Sequence, residues 1–388
     1  MVPGPEGLVE RVEALLPLLA ENAARTEQLR RVAPESIEAL TEAGVFRMTA
    51  PRHLGGYEAD VATQYDVLRV IGTACPSTSW VTTILTAMIW NLGMFSDEAQ
   101  EEVLGEPDAR VASVFAPGGN ARRVDGGVVV SGRWPFNTGC HHAQWAIMAA
   151  LVDEGDGSPP AIANLLIPYS DLEILDDWFA SGMAGTGSNT TVGTDVFVPD
   201  HRILPLAAQM TLDLPTERNR DNPYYRVPTV PFLIAQAGAA PVGIAQGAFA
   251  AFMERLPGRA ITYSDYADQS AAPITHQQVG EAAMLLHSAD AHARASIDLV
   301  AAHSAGEFPL EARARLRAHT AYATREARRA VDVLFEASGA SAIQRGVPIQ
   351  RFQRDIQALA NHAFLTATSA IELYGRIACG LDANTVFV

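Results

Sequence analysis

The chain has 388 residues, a formal net charge of −16, 48% hydrophobic and 19% charged residues, which is typical of a globular protein with two or three domains. It contains no lysine, so arginine supplies all 28 cationic side chains, and chemistries that need a primary amine, such as a Schiff base, are excluded. The acidic balance argues against a nucleic-acid partner, because such binding neutralises phosphates with a basic surface.

The N-terminal part of the chain shows the spacing of amphipathic helices. Pro34 is a typical first residue of a helix, and Gly44 is a typical stop. The predicted helices cover residues 8–19, 34–43, 63–74, 78–95 and 97–104. We therefore predict a helical domain over residues 1–109.

The pattern then changes to short β-branched runs separated by Gly, Pro and Asp. The predicted strands are 111–115, 128–131, 145–152, 161–167 and 190–198. Asp125-Gly126-Gly127 is a hairpin signal between the first two. We predict a small all-β middle domain over residues 110–205.

The last part of the chain is rich in alanine and helical again. Four prolines between residues 206 and 231 predict an irregular connection. Long helices are predicted at about 232–257, 275–304, 309–338 and 351–379. The order of helices, strands and four long helices predicts an α+β protein that is mostly α, with a C-terminal domain over residues 206–388.

The cysteine pattern and the apolar runs bear on the compartment. Cys75, Cys140 and Cys379 are widely spaced, which suggests neither a disulfide framework nor a zinc site. The adjacent histidines His141 and His142 have no carboxylate companion, so we expect no metal. No apolar run reaches the roughly 18 residues of a membrane span, and no basic leader opens the chain. We expect a cytoplasmic protein with no membrane partner.

Residues 131–145 are the densest candidate for a binding site. They combine aromatic rings with hydroxyl, thiol and imidazole groups, which suits a flat conjugated ligand that needs faces to stack on and a few fixed polar groups. The alternative is an aromatic hairpin with Trp134 and Trp145 in the core. Residue types alone favour the two interpretations equally.

Two further segments are candidates. Residues 182–189 form a glycine-rich loop whose amides could approach a ligand, but a strand follows instead of a helix, so a dinucleotide fingerprint is excluded. A loop kept only for its turns is the commoner alternative. His362 is predicted on a helix, on the same face as Asp355, where it could act as an acid or base. A packed helical histidine is again the commoner alternative.

At these residues the sequence resembles the flavin-dependent monooxygenases with an acyl-CoA dehydrogenase-like fold, the oxygenase components of two-component systems. The motifs that carry the resemblance are 43–46, 54–56, 77–81, 132–145, 182–189, 195–199, 334–340 and Arg354-Asp355 ahead of His362. The resemblance implies a helical N-terminal domain, a middle β-barrel, a C-terminal four-helix bundle and a homotetramer.

The resemblance also implies the chemistry. A separate NAD(P)H:flavin reductase would supply reduced flavin, either FMNH2 or FADH2. With O2 this flavin would give a C4a-hydroperoxide that hydroxylates a small substrate, aromatic or polyketide-like. His362 would deprotonate a substrate phenol or hold the peroxide by a hydrogen bond.

Site residues follow from the same resemblance, with Thr138 near N5 of the flavin. The implied cofactor-binding residues are Trp134, Phe136, Asn137, Thr138, Gly139, Trp178, Gly185, Thr186, Gly187 and Ser188. The implied substrate pocket contains Trp80, Met88, Asn91 and His141, and the implied catalytic residues are His362, Thr138 and Asn164. Two positions depart from the family pattern: Met88 or Asn91 replaces a histidine, and Asn164 replaces a serine that touches the flavin. An N-oxygenating or otherwise atypical flavin reaction therefore stays open.

A true acyl-CoA dehydrogenase is the main alternative within the same fold. It needs a carboxylate base to remove the substrate α-proton. In that family the base lies at the position of Ala363 or within the segment 227–233, and neither carries an acid here. The missing base favours the oxygenase.

Overall fold

The N-terminal part of the protein is a packed set of helices. The computed structural model describes residues 4–106, 108–304, 307–385 and 387–388. The first helices are α1 (Leu8–Leu29), α2 (Pro34–Glu42), α3 (Val61–Ala74), α4 (Pro76–Leu92) and α5 (Asp97–Leu104). Pro34 begins α2 and Gly44 follows its end at φ 85°, so the predicted start and stop signals are confirmed.

Helix α4 is the central helix of this part, and every residue except Ile84 is buried. It nevertheless carries many hydroxyl groups. Thr82, Thr83 and Thr86 donate hydrogen bonds to carbonyls one turn earlier, at 2.8 Å each. Because their protons are bonded within the helix, these polar side chains tolerate burial on all sides. Helix α4 can therefore lie between the other helices and the sheet.

The middle part is one mixed sheet of seven strands in the order β5-β6-β2-β1-β3-β4-β7. The strands are β1 (Val111–Val124), β2 (Gly127–Trp134), β3 (Trp145–Asp153), β4 (Ala161–Pro168), β5 (Glu173–Ile174), β6 (Thr191–Pro199) and β7 (Ile203–Pro205). β1 and β2 pair antiparallel across the predicted turn, where Gly126 adopts φ 74°. Alternate apolar residues such as Val130, Met148 and Leu165 form the core of this sheet.

The C-terminal part is helical. Its helices are α6 (Leu206–Thr211), α7 (Thr229–Ala237), α8 (Ala239–Arg255), α9 (Pro273–His303), α10 (Leu310–Ala337), α11 (Ile349–Leu359) and α12 (Ala367–Ala378). The first predicted long helix is divided at Gly238, and α6 lies in the connection predicted to be irregular. The predicted domain boundaries at 109/110 and 205/206 stay predictions.

The fourth long helix was predicted incorrectly, because the chain leaves the helix after Leu359 and resumes it at Ala367. His362 lies in the intervening turn and not on a helix face. The amide of Phe364 donates to Nδ1 of His362 at 3.3 Å instead of continuing the helical ladder. A local bond from side chain to backbone thus competes with the helix at this point.

Helices from both ends of the chain meet closely at Gly72 in α3 and Gly243 in α8. A Cβ on Gly243 would lie 2.1 Å from the carbonyl oxygen of Arg69, so only glycine permits this approach. The stretch Thr229–Arg255 is long and apolar enough to cross a membrane by composition, but 89% of its most apolar window is buried inside the protein. Its apolarity is therefore explained by its place in the core.

Candidate active site

The loop between β2 and β3 packs on helix α4. Gly139 adopts φ 79°, and a Cβ there would lie 3.1 Å from Cδ2 of Leu85. Asn137 is wholly buried, and its side-chain amide donates to the hydroxyls of Tyr169 and Thr191 at 2.8 Å each. Its backbone amide donates to the carbonyl of Asn189 at 3.1 Å. Asn137 therefore fixes this loop against the glycine-rich loop that precedes β6.

Phe136 presents an uncovered ring next to this anchor. Its backbone is left-handed at φ 61°, and 71% of its surface is exposed. The ring meets the indole of Trp178 edge to face, with centroids 5.8 Å apart and planes at 80°. Trp178 is itself held by a hydrogen bond from Nε1 to the carbonyl of Met183, at 3.2 Å. These two rings offer aromatic faces to a flat conjugated ligand.

Helix α11 holds the start of the glycine-rich loop. A Cβ on Gly182 would lie 2.1 Å from the carbonyl oxygen of Arg354, so the loop backbone lies directly on the helix. The amide of Met183 donates to the carboxylate of Asp355 at 2.5 Å. Burial raises the pKa of Asp355 to about 7. Asp355 was expected on the same helix face as His362, but its contact is with this loop.

Three hydroxyl groups lie in a row between the two loops. Oγ1 of Thr138 is 2.8 Å from Oγ of Ser188, which is 2.7 Å from Oγ1 of Thr186. Thr186 in turn donates to the carbonyl of Met183 at 2.8 Å. All three side chains are buried. Gly185, directly before Thr186, allows close packing here, since a Cβ on Gly185 would lie 2.4 Å from a methyl carbon of the α1 residue Thr26.

The imidazole of His362 packs against α4. Its ring lies 5.0 Å from that of Trp80, centroid to centroid, at 69°, and 5.7 Å from that of Phe364. Burial lowers the pKa of His362 to about 4, so the ring is neutral at pH 7. Nδ1 accepts the amide of Phe364, whereas Nε2 has no hydrogen-bond partner among the described residues. In the neutral ring the proton therefore lies on Nε2, which is left as a free hydrogen-bond donor.

Asn91 lies on the same face of α4 as Trp80. The two residues are 11 positions apart, which is about 16.5 Å along a helix and just over three full turns. Asn91 is wholly buried, and neither its amide nitrogen nor its carbonyl oxygen has a partner among the described residues. Met88 lies between them and is also buried. An unbonded buried carboxamide is expensive unless a ligand satisfies it.

Three of the predicted site residues have their polar side-chain atoms hydrogen-bonded to other parts of the protein. Trp134 is wholly buried, and its Nε1 donates to the carbonyl of Ala149 within the sheet core. The amide of Asn164 donates to Gln209 of α6 at 2.7 Å, and within the described residues no hydrogen bond or ring contact joins it to the Thr138 loop. Nε2 of His141 is 3.1 Å from Oδ1 of Asn189. Their predicted roles at the flavin, in catalysis and in the substrate pocket remain predictions.

Some residues that organise the site escaped the sequence analysis. Asn189 and Thr191 tie the two loops together, and Tyr169 anchors Asn137. The one signal in the sequence for such a role was the position of Asn189 at the end of the glycine-rich motif. No group of three metal-ligating side chains comes together in the part of the chain that the structure describes.

Comparison with known proteins identifies the family of this chain. Family models for the N-terminal and C-terminal domains of acyl-CoA dehydrogenase match residues 12–106 and 235–367. The chain is 39% identical to the oxygenase subunit HsaA of a Rhodococcus jostii flavin-dependent monooxygenase, over 98% of this chain and 100% of that one. It is 32% identical to the oxygenase component of an FADH2-dependent resorcinol hydroxylase from a Rhizobium species, over 97% and 94%.

A solved structure gives the same result. The chain is similar to XiaF from a Streptomyces species in complex with FADH2 and glycerol, with a TM-score of 0.90, 33% identity and coverage of 97% and 96%. The relatives are oxygenase components of flavin-dependent hydroxylases, and none of those named above is a dehydrogenase. This chain belongs to the oxygenase components of the two-component flavin-dependent monooxygenases, within the acyl-CoA dehydrogenase-like fold.

Proposed function

We propose that this oxygenase hydroxylates a phenolic ring with O2 and reduced flavin, and that Nε2 of His362 donates a hydrogen bond to the phenol oxygen. The observation that carries the proposal is the free Nε2 of a neutral His362, held by Trp80 on the face of α4 that also bears the unbonded Asn91. The lowered pKa keeps the ring neutral and Nδ1 accepts the Phe364 amide, so Nε2 carries the ring hydrogen and can donate it to a hydrogen bond.

The residues at this site fit a reduced flavin. Phe136 and Trp178 offer stacking faces, and Oγ1 of Thr138 lies at the edge of the hydroxyl row. When bound, reduced flavin supplies the electrons that activate O2. The protein then has to orient the substrate and exclude water, and the apolar walls from Trp80, Val81 and Leu85 serve that purpose.

His362 and Asn91 divide the recognition of the substrate in this proposal. Nε2 of His362 donates a hydrogen bond to the oxygen of the phenol, which binds and orients the ring. The carboxamide of Asn91 binds a second polar group, because it offers both a donor and an acceptor that the folded chain leaves unused. The substrate is then a phenol with a further polar substituent on an otherwise apolar body.

The flavin comes from a separate reductase, as expected for the oxygenase component of a two-component system. We propose that FADH2 is the physiological form. The resorcinol hydroxylase relative is FADH2-dependent, and XiaF was solved with FADH2. Equal turnover with FMNH2 and FADH2 at matched concentrations would contradict this preference.

We also propose a homotetramer in the cytoplasm. Large apolar side chains are exposed on the C-terminal helices and the segments beside them, namely Ile274, Met284 and Ile343. Their exposure supports a subunit interface. The three cysteines are all unpaired, which suits a reducing compartment. Light scattering should give four times 41.5 kDa, and a monomer would contradict the proposal.

The central test is a coupled assay. The protein is mixed with FADH2 under argon, and oxygenated buffer with a panel of substituted phenols is added. Product, oxygen consumption and hydrogen peroxide are measured together. We expect at least one phenol to give product in proportion to the oxygen consumed. If all oxygen appears as peroxide for every phenol, at the rate of free flavin, the proposed function is wrong.

A further inference from the structure

The row of hydroxyl groups at Thr138, Ser188 and Thr186 has only one possible arrangement of protons. Its three oxygen-to-oxygen distances are 2.7 to 2.8 Å, and each such contact requires a proton between the two oxygens. The last acceptor, the carbonyl of Met183, has no proton to give. Thr186 must therefore donate to Met183, Ser188 to Thr186, and Thr138 to Ser188.

This count leaves Oγ1 of Thr138 without a proton for a ligand. A hydroxyl group has one proton and two lone pairs, and the proton of Thr138 is committed to Ser188. The row ends at Met183, which is held in place by two further hydrogen bonds. Its carbonyl also accepts a hydrogen bond from Nε1 of Trp178, and its amide donates to the carboxylate of Asp355. Toward any ligand, Thr138 is an acceptor only.

We infer that Ser188 and Thr186 are positioning residues that make Thr138 select the reduced form of the flavin. The inference rests on the proposed function and on the position beside N5 that the family resemblance implies for Thr138. N5 of reduced flavin carries a hydrogen that Thr138 can accept, whereas N5 of oxidised flavin offers only a lone pair. Two lone pairs facing each other repel, so the row of hydroxyl groups favours the reduced cofactor and disfavours the spent one.

The test measures binding, and it uses the full-length protein. Dissociation constants for FADH2, under argon, and for FAD are determined for the wild type, Ser188→Ala, Thr186→Val and Thr138→Val. In Ser188→Ala the hydroxyl of Thr138 is free to rotate and donate to N5 of FAD. We expect FAD to bind about tenfold more tightly and FADH2 to bind almost unchanged.

Thr186→Val tests the same row from its other end and keeps the side-chain shape. Without the acceptor at Thr186, the proton of Ser188 can turn toward Thr138, so the same change in FAD affinity is expected. Thr138→Val removes the acceptor itself and should instead weaken the binding of FADH2 by about tenfold. In each variant the preference for reduced flavin falls, and the midpoint potential of bound flavin should drop by about 30 mV per tenfold change.

The outcomes separate the inference from the proposed function. One outcome is that Ser188→Ala and Thr186→Val melt like the wild type and leave the ratio of FADH2 affinity to FAD affinity unchanged, while Thr138→Val lowers that ratio. In that case the inferred role of the row is wrong, but Thr138 still contacts the flavin. If Thr138→Val also changes nothing, Thr138 does not contact N5. If the wild type binds neither form of the flavin saturably, the proposed function itself is overturned.

Discussion

The imidazole of His362 and the indole of Trp80 pack edge to face, with ring centroids 5.0 Å apart. This contact joins the turn between α11 and α12 to the central helix α4. It covers the imidazole with apolar surface, which is why the pKa of His362 falls to about 4. The contact therefore sets both the position and the protonation state of His362, the proposed hydrogen-bond donor.

Replacing Trp80 should expose His362 to water. In Trp80→Leu we expect the pKa of His362 to rise toward the ordinary histidine value of about 6.5, because desolvation is the cause of its depression. NMR titration of the histidine ring protons measures this directly. Trp145→Leu is the matched control, since Trp145 lies on β3 beside Arg202. An unchanged pKa in Trp80→Leu would contradict the assigned cause.

Replacing His362 should uncouple oxygen consumption from product. His362→Ala keeps the fold but lacks the hydrogen-bond donor that orients the phenol, so we expect product formation to fall by about 100-fold, with more hydrogen peroxide released. Asn361→Ala, in the exposed neighbour whose side chain donates to the carbonyl of Gln357, should retain the normal ratio of product to oxygen. Wild-type coupling in His362→Ala would refute the role of His362.

Replacing Asn91 should raise the stability of the protein and weaken substrate binding. Because neither polar atom of its side chain is bonded within the described protein, Asn91→Leu should raise the free energy of unfolding by about 1 kcal/mol or more. The same change should raise the KM for a phenol at least tenfold. Asn219→Leu is the control: Asn219 is buried and bonded to Gly93 and Gln100, so this change should lower stability. A less stable Asn91→Leu would show that Asn91 has a structural role.

Asp355 should make stability depend on pH. Burial raises its pKa from 3.8 to about 7, despite the nearby Arg354 and Arg351 and with help from Glu27. Between these values the folded protein holds a proton that the unfolded chain lacks, so this group's contribution to stability falls as pH rises from about 4 to 7. Relative to Asp355→Asn, the wild type should lose up to about 1.4 kcal/mol per pH unit in urea unfolding. If the free energies of unfolding of the wild type and Asp355→Asn changed with pH in parallel, the raised pKa of Asp355 would be contradicted.

Gly182 should tolerate no side chain. Gly182→Ala puts a Cβ against the carbonyl of Arg354, so the loop must move off α11; we expect lower stability and weaker flavin binding. Gly280→Ala on α9 is the matched control, because nothing lies within 4 Å of its added Cβ. Replacing this helical glycine with alanine should raise the free energy of unfolding by about 1 kcal/mol. Similar melting temperatures and flavin affinities for both variants would contradict the close packing of the loop.

Periodicity and punctuation in the sequence were enough to predict the element types. The helix that begins at Pro34, the hairpin at Gly126 and the strands of the middle part were all predictable, because a short stretch of chain encodes them. The site was predictable only as separate segments. Thr138 and Ser188 are 50 residues apart in sequence, and their hydroxyl groups meet only because Asn137 ties one loop to the other.

By itself the sequence determined the fold class, the lack of any primary amine beyond the chain terminus, and the absence of a dehydrogenase base at either expected position, since all three depend on which residues are present. The tertiary structure decided how these residues act. It broke the helix at His362, where the Phe364 amide bonds to the ring, and packed that ring against Trp80. It also fixed the proton direction at Thr138, which depends on distances between oxygens from different loops.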